Sequence, residues 1–362
     1  MRTCPGFRTA LRTLATALAL LTAASPGMAN TLTQNVSWII DRADTPVGYR
    51  LVAYGDSLYS GYNGSVAYAA KYSAPVVDGE YLSAAWKADI EVVRRTKTGA
   101  VASDIYYNKV VAERSYMQAA HTRVVALAMC GNDALQARTA FKSQTGTCDY
   151  SGLAAAVNTC RTYLAASMDF INANAYPGVK LKIVSNVYYP GFDADWALSS
   201  CRDATTGTPV NMQTMFLGWV ARLNFWICRI AWEKNFQCAD NFGQYMAVDY
   251  DSNGDGIVDS EALRYVPGED EVSYYNRITR TLHDTIHDAN RHLTSRTSSA
   301  DYIQSDDIHP TYTGETVRAG IFGGTSGVGP PRHTSPTKSS IWNLYGTERM
   351  GWTLSTSNPA AP

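Results

Sequence analysis

Val124-Val125-Ala126-Leu127-Ala128-Met129 is an unbroken apolar run, without the polar-out alternation of a strand that has one wet face. A run of this kind suits a strand covered on both faces, as strands are in parallel sheets held between helical layers. Shorter runs of similar character lie at 50–54, 89–94 and 181–186, with a weaker one at 236–240. Helix-like stretches at 153–175 and 214–236 fall between them. Strands alternating with helices predict an α/β fold, a three-layer α/β/α sandwich with a mostly parallel five-stranded sheet of flavodoxin-like type. In such folds the chemistry gathers at the C-terminal ends of the strands.

The rest of the sequence limits where and how such a domain works. With 31 Lys+Arg against 32 Asp+Glu the formal net charge is -1, so the concentrated basic face that binds nucleic acid is not expected. Hydrophobic residues make up 45% of the chain, enough for a sizeable core. Arg2, Arg8 and Arg12 precede the apolar run 14–21, and Gly27-Met28-Ala29 follows it. That is the layout of a secretory signal peptide over 1–29, with an apolar run too short to span a bilayer. No later segment is long and apolar enough to cross a membrane, which predicts an exported protein. Beyond the leader remain Cys130, Cys148, Cys160, Cys201, Cys228 and Cys238. An even number in an exported chain reads as three disulfides, with the pairing left open. Zinc is disfavoured because no C-x-x-C pair exists. The domain organisation expected is 1–29 leader, 30–322 catalytic-type domain and 323–362 irregular tail rich in Gly, Ser, Thr and Pro.

Chemically able residues stand just past the strand ends. Gly55-Asp56-Ser57-Leu58 places a serine on a sharp strand-to-helix turn, where it could equally serve as a helix N-cap. Thr96-Lys97-Thr98-Gly99-Ala100 follows the second run and Gly131-Asn132-Asp133 follows the third. Asp306-Asp307-Ile308-His309-Pro310 comes late in the chain. Each piece is weak alone; their order and placement are more specific. Together they resemble the SGNH (GDSL) hydrolase superfamily, whose four blocks supply Ser, Gly, Asn and His in that chain order. On this sequence the blocks fall on Ser57, Gly99, Asn132 and His309, and the resemblance covers roughly residues 50–322.

The resemblance implies a serine esterase. His309 would take the proton that makes Ser57 a nucleophile. Asp306, three residues earlier, would accept the other ring N–H and fix the tautomer. The Ser57 and Gly99 N–H groups and the Asn132 amide would form the oxyanion hole, each donor worth ~3–4 kcal/mol of barrier. Asp56 reads as a structural residue that holds the turn. No cofactor is expected for the chemistry, and the partner is a small-molecule or lipid ester. The runner-up is a polysaccharide O-deacetylase of the same fold. A catalytically idle, calcium-stabilised binding protein is the reading from another class.

Three other patterns compete for a role. The acidic stretch at about 249–262 resembles an EF-hand or dockerin calcium loop. Asp251, Asn253, Asp255 and Asp259 would supply side chains, the Ile257 carbonyl would join them, and Gly256 takes the sharp-turn place. Ala262 stands where the bidentate Glu belongs, with Glu261 or Asp249 as substitutes. An acidic turn without metal is the plainer alternative; a calcium ion here would brace structure only. His283 and His287 have the spacing of a zinc motif, but a glutamate base and a third ligand are not evident, which favours a solvated amphipathic helix. The aromatic segment from Trp219 to Trp232 reads as a core helix, with an acyl-binding wall as the sharper alternative.

Overall fold

In the computed structural model, which describes residues 37–41, 48–61, 73–189, 197–242 and 265–286, every one of the five apolar runs becomes a strand. The strands are β1 (Ser37–Ile40), β2 (Gly48–Gly55), β3 (Asp89–Thr96), β4 (Thr122–Ala128), β5 (Gly146–Thr147), β6 (Leu181–Ser185), β7 (Leu198–Arg202), β8 (Pro209–Asn211) and β9 (Gln237–Ala239). Five of them are parallel in the order β3-β2-β4-β6-β9. In chain order that is second, first, third, fourth, fifth, the doubly wound flavodoxin-like arrangement.

The sheet has six strands rather than the five expected, because β1 pairs antiparallel with the outer edge of β3. A four-residue edge strand whose Ile39 is 72% exposed carries too little apolar pattern to be read from sequence. A second small sheet, β5-β7-β8, was likewise not foreseen.

Layering follows from the period of two along each strand. Leu51 and Ala53 point to one face and Val52 and Tyr54 to the other, and all four are fully buried. Val124 and Ala126 against Val125 and Leu127 repeat the division in β4. Complete burial of a Val or Leu side chain is worth roughly 1.5–3 kcal/mol, so two covered faces give the sheet its hold. One face takes α2 (Ala74–Trp86), which lays Val76, Leu82 and Trp86 onto Leu51, Ala53, Ile90 and Val92. Its Pro sits in the first turn, where a missing N–H costs nothing.

The opposite face takes α5 (Gly131–Lys142), α6 (Ser151–Asn174), α7 (Met212–Glu233) and α8 (Glu271–Ile286). The short helices α1 (Ser57–Ser60), α3 (Ala102–Ile105) and α4 (Ser115–Gln118) and a π-helical turn at Tyr106–Val111 fill the connections. Helices α6 and α7 cover most of the predicted 153–175 and 214–236 stretches. No helix among the described residues is long and apolar enough to cross a membrane.

The six cysteines among the described residues are paired: Cys130–Cys160, Cys148–Cys201 and Cys228–Cys238. The first ties the start of α5 to the middle of α6, the second ties the small sheet to the end of the α5–α6 connection, and the third ties α7 to β9.

Candidate active site

The winding of the sheet reverses between β2 and β4, and the loops that leave these two strands part to form a crevice. Ser57 leaves β2 and Asn132 leaves β4. Gly55 makes the first turn sharp. A Cβ on it would lie 3.0 Å from Tyr59 Cβ and 3.1 Å from the Ala128 carbonyl, so a larger residue could not pass so close to the end of β4. Asp56 then caps α1, its Oδ1 accepting the Leu58 N–H at 2.9 Å. Ser57 is the first residue of that helix and is 5% exposed. The Ser60 hydroxyl donates to the Ser57 carbonyl at 2.8 Å and stiffens the turn.

The Asn132 turn is built differently. Cys130, its N-cap, takes φ 84, a left-handed conformation that L residues with a Cβ seldom adopt. The disulfide to Cys160 holds that residue in place. Asn132 is half-buried, and its Nδ2 donates to the Ala100 carbonyl at 3.0 Å and to Asp56 Oδ2 at 3.3 Å. Asp56 thus caps the serine turn with one oxygen and reaches the asparagine with the other.

Asp133, the next residue, was not singled out by the sequence. Its Oδ2 accepts the Ala102 N–H at 2.8 Å, so adjacent residues of α5 latch the loop after β3 on both sides of Val101. Burial raises the Asp133 carboxyl from 3.8 to about 6. The Asp56 and Asp104 carboxylates push the same way, while the Ala102 and Asp133 N–H groups pull against them.

Gly99 lies in that latched loop. The Ala100 N–H bonds back to the Lys97 carbonyl at 3.2 Å, and Gly99 takes φ 73 at the third position of the turn, where a positive φ calls for glycine. Gly99 is exposed and does not line the crevice; its loop enters through the Ala100 carbonyl.

Ser57, Asn132 and Asp56 share one cleft whose walls are Leu58, Leu135, Val187, Phe216 and Val220. The empty space there is about 460 Å³, including the part open to solvent. Phe216 and Val220 come from α7, so the aromatic helix is both core and cleft wall, beginning slightly before the segment read from sequence. Val187 is fixed by Asn224, a fully buried residue of α7. Asn224 accepts the Val187 N–H at 2.9 Å and donates to its carbonyl at 2.6 Å. Asn186 beside it donates to Asp240 at 2.7 Å and accepts the Phe242 N–H at 2.9 Å, joining the ends of β6 and β9.

Asp306 and His309 lie outside the described residues, as do Asp251, Asn253, Asp255, Ile257, Asp259 and His287. His283 falls on α8. Among the described residues no cluster of three or more His, Cys, Asp or Glu side chains is arranged to hold a metal ion.

An open, doubly wound α/β sandwich with a serine and an asparagine facing across its switch point is the class that fold and cleft define. No protein-family model and no curated protein matches the sequence. Solved structures do match. A lipase from a goat rumen metagenome aligns with a TM-score of 0.50 and 12% identity, covering 76% of this chain and 97% of the lipase. An acetylxylan esterase, Axe2 from Geobacillus stearothermophilus, aligns with a TM-score of 0.40 and 14% identity over 76% of this chain and 93% of that one. An extracellular lipase from Streptomyces rimosus aligns with a TM-score of 0.38 and 18% identity over 57% and 85%. At such identities the likeness to the rumen lipase is one of fold.

Proposed function

We propose that this protein is an exported serine hydrolase of carboxylic esters, of the SGNH (GDSL) type, acting through an acyl-enzyme on Ser57. The observation that carries this reading is the convergence of Ser57 and Asn132 on one cleft at the switch point, with Asp56 bonded to both turns. His309 takes the Ser57 proton as the hydroxyl oxygen attacks the acyl carbon, and it returns that proton to the departing alkoxide. Asp306 orients the imidazole. Water then attacks the acyl-serine by the same route. The Ser57 N–H and the Asn132 amide receive the oxyanion; Gly99, exposed and outside the cleft, shapes the loop that presents the Ala100 carbonyl to Asn132. Both Asn132 amide protons have partners at rest, and the 3.3 Å contact to Asp56 is the one to be exchanged for the oxyanion.

The apolar surface of Leu135, Val187, Phe216 and Val220 favours an acyl group larger than acetyl, while Tyr188 in the same lining is the residue that would suit the deacetylase reading. The reading requires no metal in the chemistry; a calcium ion on the 251–259 loop would serve structure. Three disulfides support export.

The test is hydrolysis of p-nitrophenyl esters from acetate to palmitate by the wild type and Ser57→Ala. The variant should lose at least a thousandfold in kcat/KM. Equal activity of the two proteins rules out Ser57 as nucleophile, and a wild type confined to acetate points to the deacetylase instead.

A further inference from the structure

A groove separate from the Ser57 cleft runs between the start of α6, the first half of α7 and α8, where Tyr150, Asn211, Thr214, Trp219, Arg222 and Tyr275 line it. Its empty space is about 770 Å³ including the part open to solvent, against about 460 Å³ on the same measure at the cleft. Groove and cleft lie at one end of the sheet. Because β9 returns parallel to β6, α7 runs against the strands, and Asn224 meets it with Val187 just past the end of β6. The residues of α7 before Asn224 therefore stand beyond the C-terminal edge of the sheet.

The rings of the groove are held in place. Tyr275 comes close to α7 because residue 218 is glycine: a Cβ there would stand 2.9 Å from the phenol oxygen and 3.1 Å from ring carbon Cε2. The Arg222 guanidinium lies 4.2 Å from the centre of the Tyr275 ring and pairs with Glu271 at 3.1 Å. The other oxygen of Glu271 accepts the Trp226 indole N–H at 3.1 Å, and the Tyr150 hydroxyl donates to Asp203 at 3.3 Å. Arg222 is the one charged side chain in the lining among the described residues, and Glu271 neutralises it. Nothing in the lining therefore calls for an ionic ligand. Hydrogen-bonding groups remain. Asn211 uses its Oδ1 on the Thr214 N–H at 2.9 Å. Its amide NH₂, the Thr214 hydroxyl, the Trp219 indole N–H and the Tyr275 hydroxyl have no protein partner among the described residues.

Aromatic faces bordered by polar groups fit a molecule that is apolar on its face and polar round its edge. A sugar ring is built that way, with C–H bonds on its faces and hydroxyls at its rim. The negative face of an aromatic ring attracts the slightly positive C–H groups. A hydrocarbon chain would instead cover the four polar groups without giving them partners, which is unfavourable. We propose that this groove binds a neutral saccharide chain, stacking sugar rings on Trp219 and Tyr275 and meeting their hydroxyls with Asn211, Thr214 and the Tyr275 hydroxyl. The open side lets a longer chain run past, so the groove would hold the protein on a polysaccharide while the cleft on the other side of α7 stays free. The proposal is independent of the role given to Ser57.

Calorimetric titration of the full-length, oxidised protein with cellohexaose, xylohexaose and mannohexaose tests it. At least one of the three should bind. Trp219→Ala should weaken that binding about tenfold, for the loss of a stacked ring. Tyr275→Phe should weaken it about threefold, for a lost hydroxyl contact with the ring kept. Trp219 also borders the interior, so unfolding midpoints check the fold, and Trp219→Phe, which keeps a ring, should recover most of the affinity. Absence of binding by all three sugars overturns the proposal, as does binding that neither Trp219→Ala nor Tyr275→Phe weakens. If phosphatidylcholine vesicles bind in a Trp219-dependent way and the sugars do not, the groove meets a lipid surface and the proposal fails. None of these sugars carries an ester, so an error in the assignment of Ser57 leaves the titrations unchanged.

Discussion

Asp133 offers a sharp test of how the two turns are held together. Its carboxyl is raised from 3.8 to about 6, first by burial and then by the Asp56 and Asp104 carboxylates. In the unfolded chain it gives up its proton near pH 4; in the folded protein it holds that proton to about pH 6. Between those values the folded state binds more protons, so stability falls as pH rises through the window. A shift of about two units corresponds to about 3 kcal/mol, absent below pH 4 and fully present above pH 7. Asp133→Asn removes the charge but keeps an oxygen that can accept the Ala102 N–H. The variant should therefore match the wild type near pH 3.5 and exceed it by about 1–3 kcal/mol at pH 8. Guanidinium unfolding with the disulfides intact, at several pH values between these limits, measures the difference. Taking the difference between the two proteins cancels the titrating groups that do not interact with Asp133; Asp56 and Asp104, which do, stay in it. A gap that stays constant with pH would refute the account, as would a variant less stable than the wild type at pH 8.

Two further outcomes are expected. Removing the Cys130–Cys160 bridge, whose partners are 30 residues apart, as Cys130→Ala/Cys160→Ala should cost roughly 3–4 kcal/mol by loop-closure entropy. Cys130→Gly/Cys160→Ala should recover about 1 kcal/mol of this, since glycine accepts φ 84 without strain; denaturation midpoints that do not separate the two variants would remove strain from the explanation. Asn224→Ala leaves the half-buried N–H and carbonyl of Val187 without their partner and should cost about 1–3 kcal/mol. The same change loosens a cleft wall, so KM for a long ester should rise more than kcat falls; if both kinetic constants are unchanged, Val187 does not shape the cleft.

The parallel core of the sheet was legible because strands buried on both faces must be written in apolar residues, as 50–54 and 124–129 are. The alternation of strands and helices points to a doubly wound sheet with a cleft at its switch point, but not to the strand order, which different doubly wound sheets arrange differently. Edge elements lack such a constraint: β1 is four residues long, and β5 and β8 have two and three, too few to set a pattern. Cysteine pairing depends on which loops meet in space, and no local spacing reveals that Cys148 faces Cys201 across 53 residues. Ser57 and Asn132 stood out by residue type and position. Asp133 and Asn224 did not, because their work lies in the backbone groups they satisfy, and a sequence does not display those groups.

The left-handed residue before Asn132 has a consequence in time as well as in space. The serine turn is complete once the chain has folded around Gly55 and Asp56, but the facing turn is secured by a bond that forms only under oxidising conditions. Protein kept reduced would lack that covalent hold and keep the Asn132 turn by the bonds to Ala100, Asp56 and Ala102 alone. The Cys130–Cys160 bond is thus the one hold on the Asn132 side of the cleft that a reductant would release while the serine turn kept all of its own.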